Sequence, residues 1–485
     1  MTEKTIFELS SPGRESIQFP ELDVEKSDLP KNLLRDHLSL PELSELDVIR
    51  HFTHLSSLNY SIDRGFYPLG SCTMKYNPRI NEVTSRLPGF LFSHPLQAEE
   101  GVQGNLELMY QLQEWLKEIT GFAGISLQPA AGAHGEFVGG LIIKAYHRDH
   151  GDTTRTKILV PDSAHGTNPA TSSMAGFEAI NVPSDKRGNI DLYELKKVCD
   201  QTVAGLMLTN PNTLGLFEEN IVDVIEIVHN VGALVYGDGA NLNALLGIVR
   251  PGDLGFDIMH LNLHKTFSTP HGGGGPGSGP VVVAEHLCDY LPEPIVAISK
   301  EADEHSETFY SFTSPSKSIG RVKAFHGHFG VAIKAFTYIA MLGNFGMRKV
   351  AEHSVLNANY LLKLLKEYYH LPYDRICMHE FVVEGVWEDA PSVHALDISK
   401  RLMDYGFHPP TNYFPLIVKE ALMIEPTETE NKQTLDDFAV AMIKISQEAR
   451  ENPKVLTSAP HNTPVGRLDE VKAAKELVLC CWTPE

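Results

Sequence analysis

The 485-residue sequence has no Cys-x-x-Cys pair, no unbroken apolar run of 18 residues and no surplus of basic charge. Each absence removes a class of function. The six cysteines (Cys72, Cys199, Cys288, Cys377, Cys480 and Cys481) are scattered, which supplies neither zinc-ligand spacing nor a disulfide framework. Without a long apolar run, no segment is expected to span a bilayer. Lysine and arginine total 41 against 62 aspartates and glutamates, a formal net charge of −21. That field opposes nucleic acid and anionic membrane surfaces as partners. The opening stretch MTEKTIFELSSPGRES lacks the apolar core of a secretory signal, and Glu3, Glu8 and Glu15 stand where a mitochondrial presequence avoids acids. A cytoplasmic location is the expectation.

What is present suits a large folded protein. Hydrophobic residues make up 42% of the chain, enough for a sizeable core, and the length suits two or three domains. Residues 1–95 read as an irregular, proline-containing arm that lies across a partner or over its own core. Between 96 and 330, short apolar runs alternate with helical spacing such as Phe137, Leu141 and Ala145. The runs are 124–127, 157–160, 205–208, 233–236, 258–261 and 281–283. Strands alternating with helices predict a mainly parallel, doubly wound α/β sheet. Residues 331–485 read as a smaller C-terminal α+β domain.

Five runs lead into polar or glycine-rich loops, and in an open α/β sheet such loops meet at one site beyond the carboxyl ends of the strands. Gln128-Pro-Ala-Ala-Gly-Ala-His-Gly-Glu136 has small residues (Ala131, Gly132, Ala133) that let helix N-terminal amides approach a phosphate. The loop 162–169 offers His165, a flat ring able to stack on a cofactor ring. The loop Thr209-Asn-Pro-Asn-Thr213 offers side chains, Asn210 among them, that could donate hydrogen bonds to a ring substituent. Asp238 follows an apolar strand, where a carboxylate is costly without a cation such as a protonated pyridine nitrogen. Lys265 follows another, beside His264, where conversion of its amine to a Schiff base explains its position. Taken singly, each loop is also compatible with a helix cap, an Asn-Pro turn or a solvated lysine. Their order is that of fold-type I (aspartate aminotransferase-like) pyridoxal 5'-phosphate (PLP) enzymes. The stretch Gly272–Gly279 reads as a mobile lid, a passage for a substrate arm or a plain flexible loop. His326 and His328 suggest a metal, but no third ligand is evident, so no metal is assigned.

With these residues in view, the sequence resembles the glycine decarboxylase (P-protein) family of the glycine cleavage system, specifically the second (β) subunit of its two-chain form. The matching stretches are Pro68–Lys75, 128–136, 162–170, Asn262–Phe267 with its glycine tail, Tyr405–Phe407 and Glu425–Glu428, spread over about 60–440. One departure is Ala130, Ala131 and His134, where the long single-chain form has Asn, Ser and Gln. A phosphate there loses a hydroxyl donor, which backbone amides or His134 must replace. The resemblance implies PLP on Lys265, with Asp238 and His165 as further catalytic residues. It also implies decarboxylation of glycine with transfer of the aminomethyl group to a lipoylated H-protein. The implied assembly is an α2β2 heterotetramer with subunit 1 (α). Ser71, Cys72 and Thr73 are candidates for the glycine carboxylate, with a structural turn as the alternative. The rival readings are another fold-type I amino-acid decarboxylase or desulfurase acting alone, and a noncatalytic scaffold subunit, against which the presence of both Asp238 and Lys265 argues.

Overall fold

The computed structural model describes residues 3–36, 38–271, 277–302 and 307–479. Cys480, Cys481 and the stretch 272–276 of the glycine cluster lie outside the described residues. Seven strands form the main sheet: β1 (Gly124–Ser126), β2 (Lys157–Pro161), β3 (Glu178–Val182), β4 (Val203–Thr209), β5 (Leu234–Gly239), β6 (Ile258–Leu261) and β7 (Val281–Val283). Their order is β1-β7-β6-β5-β4-β2-β3. The pairs β3–β2, β2–β4, β4–β5 and β5–β6 are parallel, and β7 runs antiparallel to β6 and β1. Two antiparallel contacts in succession point β1 the same way as β6. The ends of β1, β2, β4, β5 and β6 therefore open on one edge.

All six anticipated runs lie in strands, and the mainly parallel α/β sheet is as expected. β3 was not anticipated: in Glu-Ala-Ile-Asn-Val only Val182 is buried, so this edge strand has no apolar run to reveal it. A second unanticipated pair, β8 (Ile295–Lys300) and β9 (Phe309–Thr313), is antiparallel.

The helices that matter for the site are α1 (Glu45–Leu58), α2 (Gln103–Thr120), α3 (Gly132–Asp149), α4 (Phe329–Leu365), α5 (Ala395–Asp404) and α6 (Lys432–Glu451). On α3 the expected stripe of Phe137, Leu141 and Ala145 is only half-buried, and the core face is one residue round, at Val138, Ile142 and Ile143. The reason is glycine. A Cβ at Gly139 would lie 2.3 Å from Tyr236 Cε2, so the helix packs there by backbone and its innermost face carries little hydropathy. Val138, Ile142 and Ile143 are fully buried with Ile158, Tyr236 and Ile258, each such side chain contributing about 1.5–3 kcal/mol.

α4 belongs to both halves of the molecule. By length and composition it could cross a bilayer, yet Gly343 (φ +57°, ψ −173°) breaks it. Ala335, Tyr338, Ile339 and Val350 pack in the core beneath the main sheet, and Ala358, Leu361 and Leu365 in the C-terminal core. That second core lies behind a three-stranded antiparallel sheet, order β10-β12-β11, of β10 (Phe381–Glu384), β11 (Thr411–Asn412) and β12 (Ala421–Ile424), with α5 and α6 packed beside it.

The N-terminal part divides in function. Residues 14–36 and 38–40 run exposed, whereas 66–75 is drawn inward. Leu69 bridges Ile424, Glu425 N donates to Pro68 O (3.1 Å) and Thr411 Oγ1 donates to Gly70 O (3.0 Å), which stitches this segment to the C-terminal sheet.

Gly139→Ala should lower stability by about 1–3 kcal/mol through overpacking against Tyr236, measured as a fall in the urea midpoint at unchanged m-value. An unchanged midpoint would show that Tyr236 gives way freely.

Candidate active site

The strand ends enclose a cavity of about 330 Å³. β1 leads into the N-terminus of α3, and Ala131, Gly132 and Ala133 line the wall. Ala131 makes no side-chain cap, so the first amides of α3 carry the unsatisfied N–H groups of any helix start. Gly279 presses on this turn: a Cβ there would lie 2.0 Å from Ala131 O. His134 turns away, its Nδ1 accepting a hydrogen bond from Ala130 N (3.0 Å), and does not line the cavity.

At the opposite wall, β5 delivers Asp238. Its carboxylate accepts hydrogen bonds from Ala240 N (2.9 Å) and Asn168 Nδ2 (3.4 Å), and His260 Nε2 lies 3.4 Å from Oδ1. Burial works to raise the pKa of Asp238, but His260, Lys265 and these donors outweigh it and hold the group below its ordinary value. Glu136, one turn into α3, also faces the cavity and takes a 2.6 Å hydrogen bond from Asn168 Nδ2. Burial, and then the charge of Asp238, push Glu136 up to about 8. Two neighbouring acids thus divide their roles: Asp238 keeps the charge and Glu136 the proton.

β6 delivers Lys265 through the turn at Asn262. Lys265 Nζ donates to Ser71 O at 2.7 Å. His264 lines the same wall, its Nδ1 accepting from Ser278 N (3.3 Å), and burial followed by Lys265 drives it down to about 3, so it is neutral. His165 stands at the mouth, edge-on to Phe414 with ring centroids 5.3 Å apart.

The structure gathers Lys265, Asp238, His165, His264, Ala131, Gly132, Ala133, Ser71 and Cys72 around one space. Two anticipated residues are not part of its lining. Asn210 is buried with its Oδ1 accepting from Glu218 N (3.1 Å), so it serves its own loop while Thr209 and Thr213 face the cavity. Thr73 points behind the wall, where its amide binds Glu425. Among lining residues, Glu136, Asn241, Asn262, His260 and His271 were assigned no role from sequence. Glu136 ends the loop 128–136 and His260 lies in the run 258–261, and helical or strand phase is the one signal that points them inward.

A PLP molecule suits this donor set. The cavity offers an amine, an ionised carboxylate and uncapped helix amides. Thr209 Oγ1, Asn241 Oδ1 and Asn262 Oδ1, on cavity-lining residues, have no hydrogen-bond partner.

Solved structures first define the class. A glycine decarboxylase (P-protein) of the glycine cleavage system, in inhibitor-bound form, superposes with TM-score 0.73 at 22% identity, over 86% of this chain and 93% of that one. A cysteine desulfurase from Thermococcus onnurineus NA1 gives 0.61 at 14% identity, over 81% and 98%. The fold is the α/β fold these enzymes share, in agreement with the fold-type I expectation. Sequence carries the assignment further. A glycine dehydrogenase C-terminal domain model matches residues 350–463. The probable glycine dehydrogenase (decarboxylating) subunit 2 of Caldanaerobacter subterraneus subsp. tengcongensis is 59% identical over 99% of this chain and 98% of that protein. The Bacillus cytotoxicus relative of the same description is 56% identical over 98% and 96%. The chain belongs to the glycine dehydrogenase (decarboxylating) subunit 2 family, a family of enzymes of the glycine cleavage system.

Glu136→Gln tests the division of charge. Below about pH 4.5 folded and unfolded chains both hold this proton; between about 4.5 and 8 only the unfolded chain releases it, so wild-type stability falls as pH rises. Glutamine stays neutral, and the variant's Tm relative to wild type, measured on cofactor-free protein, should climb across that window. A constant difference would place the proton elsewhere.

Proposed function

We propose that this chain is the PLP-bearing subunit of a two-chain P-protein, which decarboxylates glycine and passes the aminomethyl group to the lipoyl arm of H-protein. The observation that carries this reading is Asp238 at the end of one buried strand and Lys265 in the turn that follows its neighbour, among the walls of one cavity that also takes in the uncapped start of α3. Family membership supports the substrate, since the relatives are named for glycine decarboxylation.

Lys265 would hold the coenzyme through its aldehyde, the amides of Gly132 and Ala133 would take the phosphate, and Asp238 would hold a proton on the ring nitrogen. When bound, PLP supplies an electron sink for the pair released as the glycine carboxylate leaves as CO2. The chain's own residues set that up. His260 lies against Asp238 and, with Lys265, helps keep it ionised, so Asp238 could hold a proton on the ring nitrogen. His165, at the mouth, would lie on the ring face and restrain its tilt. The Lys265 amine, which donates to Ser71 O beside Cys72, would hold or move a proton at the reacting carbon. Each preorganised electrostatic contact is worth about 10²–10³ in rate. Ser71 and Cys72 remain the candidates for the glycine carboxylate.

A subunit 2 implies a companion subunit 1, and the arm offers it a surface: Ile17, Phe19, Leu22 and Val24 are exposed in extended backbone with no core of their own. An α2β2 assembly, visited by lipoylated H-protein and located in the cytoplasm, completes the proposal.

Lys265→Ala should abolish both the visible absorbance near about 420 nm expected of a lysine-bound coenzyme and glycine–bicarbonate carbon exchange, assayed with subunit 1 and H-protein. Exchange that survives would remove Lys265 from the mechanism. Activity of the chain alone, without H-protein, would favour a stand-alone decarboxylase or desulfurase.

A further inference from the structure

Behind the wall that carries Ser71 and Cys72 lies a drier cluster that the proposed chemistry leaves unused. Ser71 and Thr73 both hold left-handed backbone (φ +60° and +46°), a conformation that residues with a Cβ keep only under restraint. Two carboxylates supply the restraint. Glu380 Oε2 accepts from Ser71 N at 2.6 Å, and Glu425 Oε2 accepts from Thr73 N at 2.8 Å. The turn they grip presents Ser71 O to Lys265 Nζ, so the position of the amine depends on them.

Their surroundings are unusual for two acids. Glu380 is 0% exposed and Glu425 1%, and polar atoms of the two, with His379, lie within 4.8 Å of one another. Among the described residues, no lysine or arginine lies within 4.0 Å of either carboxylate; the nearest basic atom is His379 Nε2, at 3.8 and 3.9 Å. Neither ring nitrogen of His379 has a hydrogen-bond partner, nor does Glu425 Oε1. Two ionised carboxylates this close, out of water, repel strongly. Two neutral ones would weaken both charge-assisted grips on the turn.

We propose that Glu380 and Glu425 share a single proton and act as one singly charged clamp, locking the Ser71–Thr73 turn and thereby positioning the Lys265 amine. They are positioning residues, since Ser71 stands between them and the reacting amine. The proposal rests on Lys265 as the coenzyme-bearing residue. The other titratable groups facing the pair are Lys265, Cys72, His379 and Glu428, the last tied to Lys75. Burial, and then Glu425, push Glu380 well up; burial pushes Glu425 up to about 7; and burial drives His379 down to about 3, so the histidine brings no balancing charge.

The test is the pH titration of the visible band of the full chain loaded with PLP, with subunit 1 and without glycine. Removing the clamp's negative charge makes the protonated lysine–coenzyme linkage less favourable. In Glu380→Gln or Glu425→Gln the remaining carboxylate takes up the charge, so each midpoint should stay within about 0.3 pH unit of wild type. The double variant loses the charge, and its midpoint should fall by about one unit, a tenfold change in proton affinity. Additive single shifts, or a double variant that titrates like wild type, would overturn the sharing. If the double variant does not fold, the singles decide, since independent carboxylates would move at least one midpoint by about half a unit or more. A divalent cation retained by the purified chain and lost with Glu380→Gln would also overturn it. A colourless wild type would instead refute the coenzyme assignment itself.

Discussion

The molecule is held together around the ammonium of Lys75. It lies within hydrogen-bond reach of four oxygens, more than its three protons can serve at once: Glu428 Oε1 (2.8 Å), Asn243 Oδ1 (2.8 Å), Thr266 O (2.9 Å) and the Tyr338 hydroxyl (3.1 Å). Those partners belong to the end of the C-terminal sheet, the segment after β5, the backbone beside Lys265 and helix α4. A single charge thereby pins the inward part of the arm, the lysine turn and both cores to one another. Burial pulls the Lys75 pKa down, but Glu428 and Tyr338 overcome it and leave the group raised and charged. Removing one partner of such a buried pair typically costs about 3–5 kcal/mol, because the other is left uncompensated. This pairing also explains why Pro68–Lys75 and Glu425–Glu428, so far apart in the chain, read as one signature.

Charge inside the cavity is set by burial and by each group's nearest neighbours. Asp238 stays ionised under His260, Glu136 stays protonated beside it, and His264 stays neutral. A site lined by several acids and histidines thus presents a strongly held anion and a lysine to one space. In low-dielectric surroundings this arrangement is worth more than the same groups in water.

Much of this was legible in the sequence, for local reasons. Asp238 and Lys265 each follow an apolar run too short for a helix, and polar groups at such ends need a partner, which makes them visible without a structure. The start of α3 announces itself by small residues. Less was legible where the cause is long-range. β3 is an edge strand whose polar residues mask it, and the core face of α3 carries glycines that pack by shape. Asn210 looked like a ligand because its loop is polar, yet its amide closes that loop and Thr209 and Thr213 face inward. Glu380 reads as an ordinary acid and Glu425 only as the start of a matching stretch, since nothing near them in sequence reveals that both are buried against a turn three hundred or more positions earlier.

The way the lysine wall is assembled has a consequence for how the enzyme matures. A ribosome delivers Ser71 first, Lys265 later, and Glu380, Glu425 and Glu428 after both. During translation the amine therefore emerges well before the groups that give its neighbouring turn a shape, and it samples solvent as an unrestrained primary amine. Shaping of the turn beside that amine then waits for the segment that carries Glu380 and Glu425, and a chain cut before Glu380 keeps Lys265 while losing both carboxylates that grip the turn.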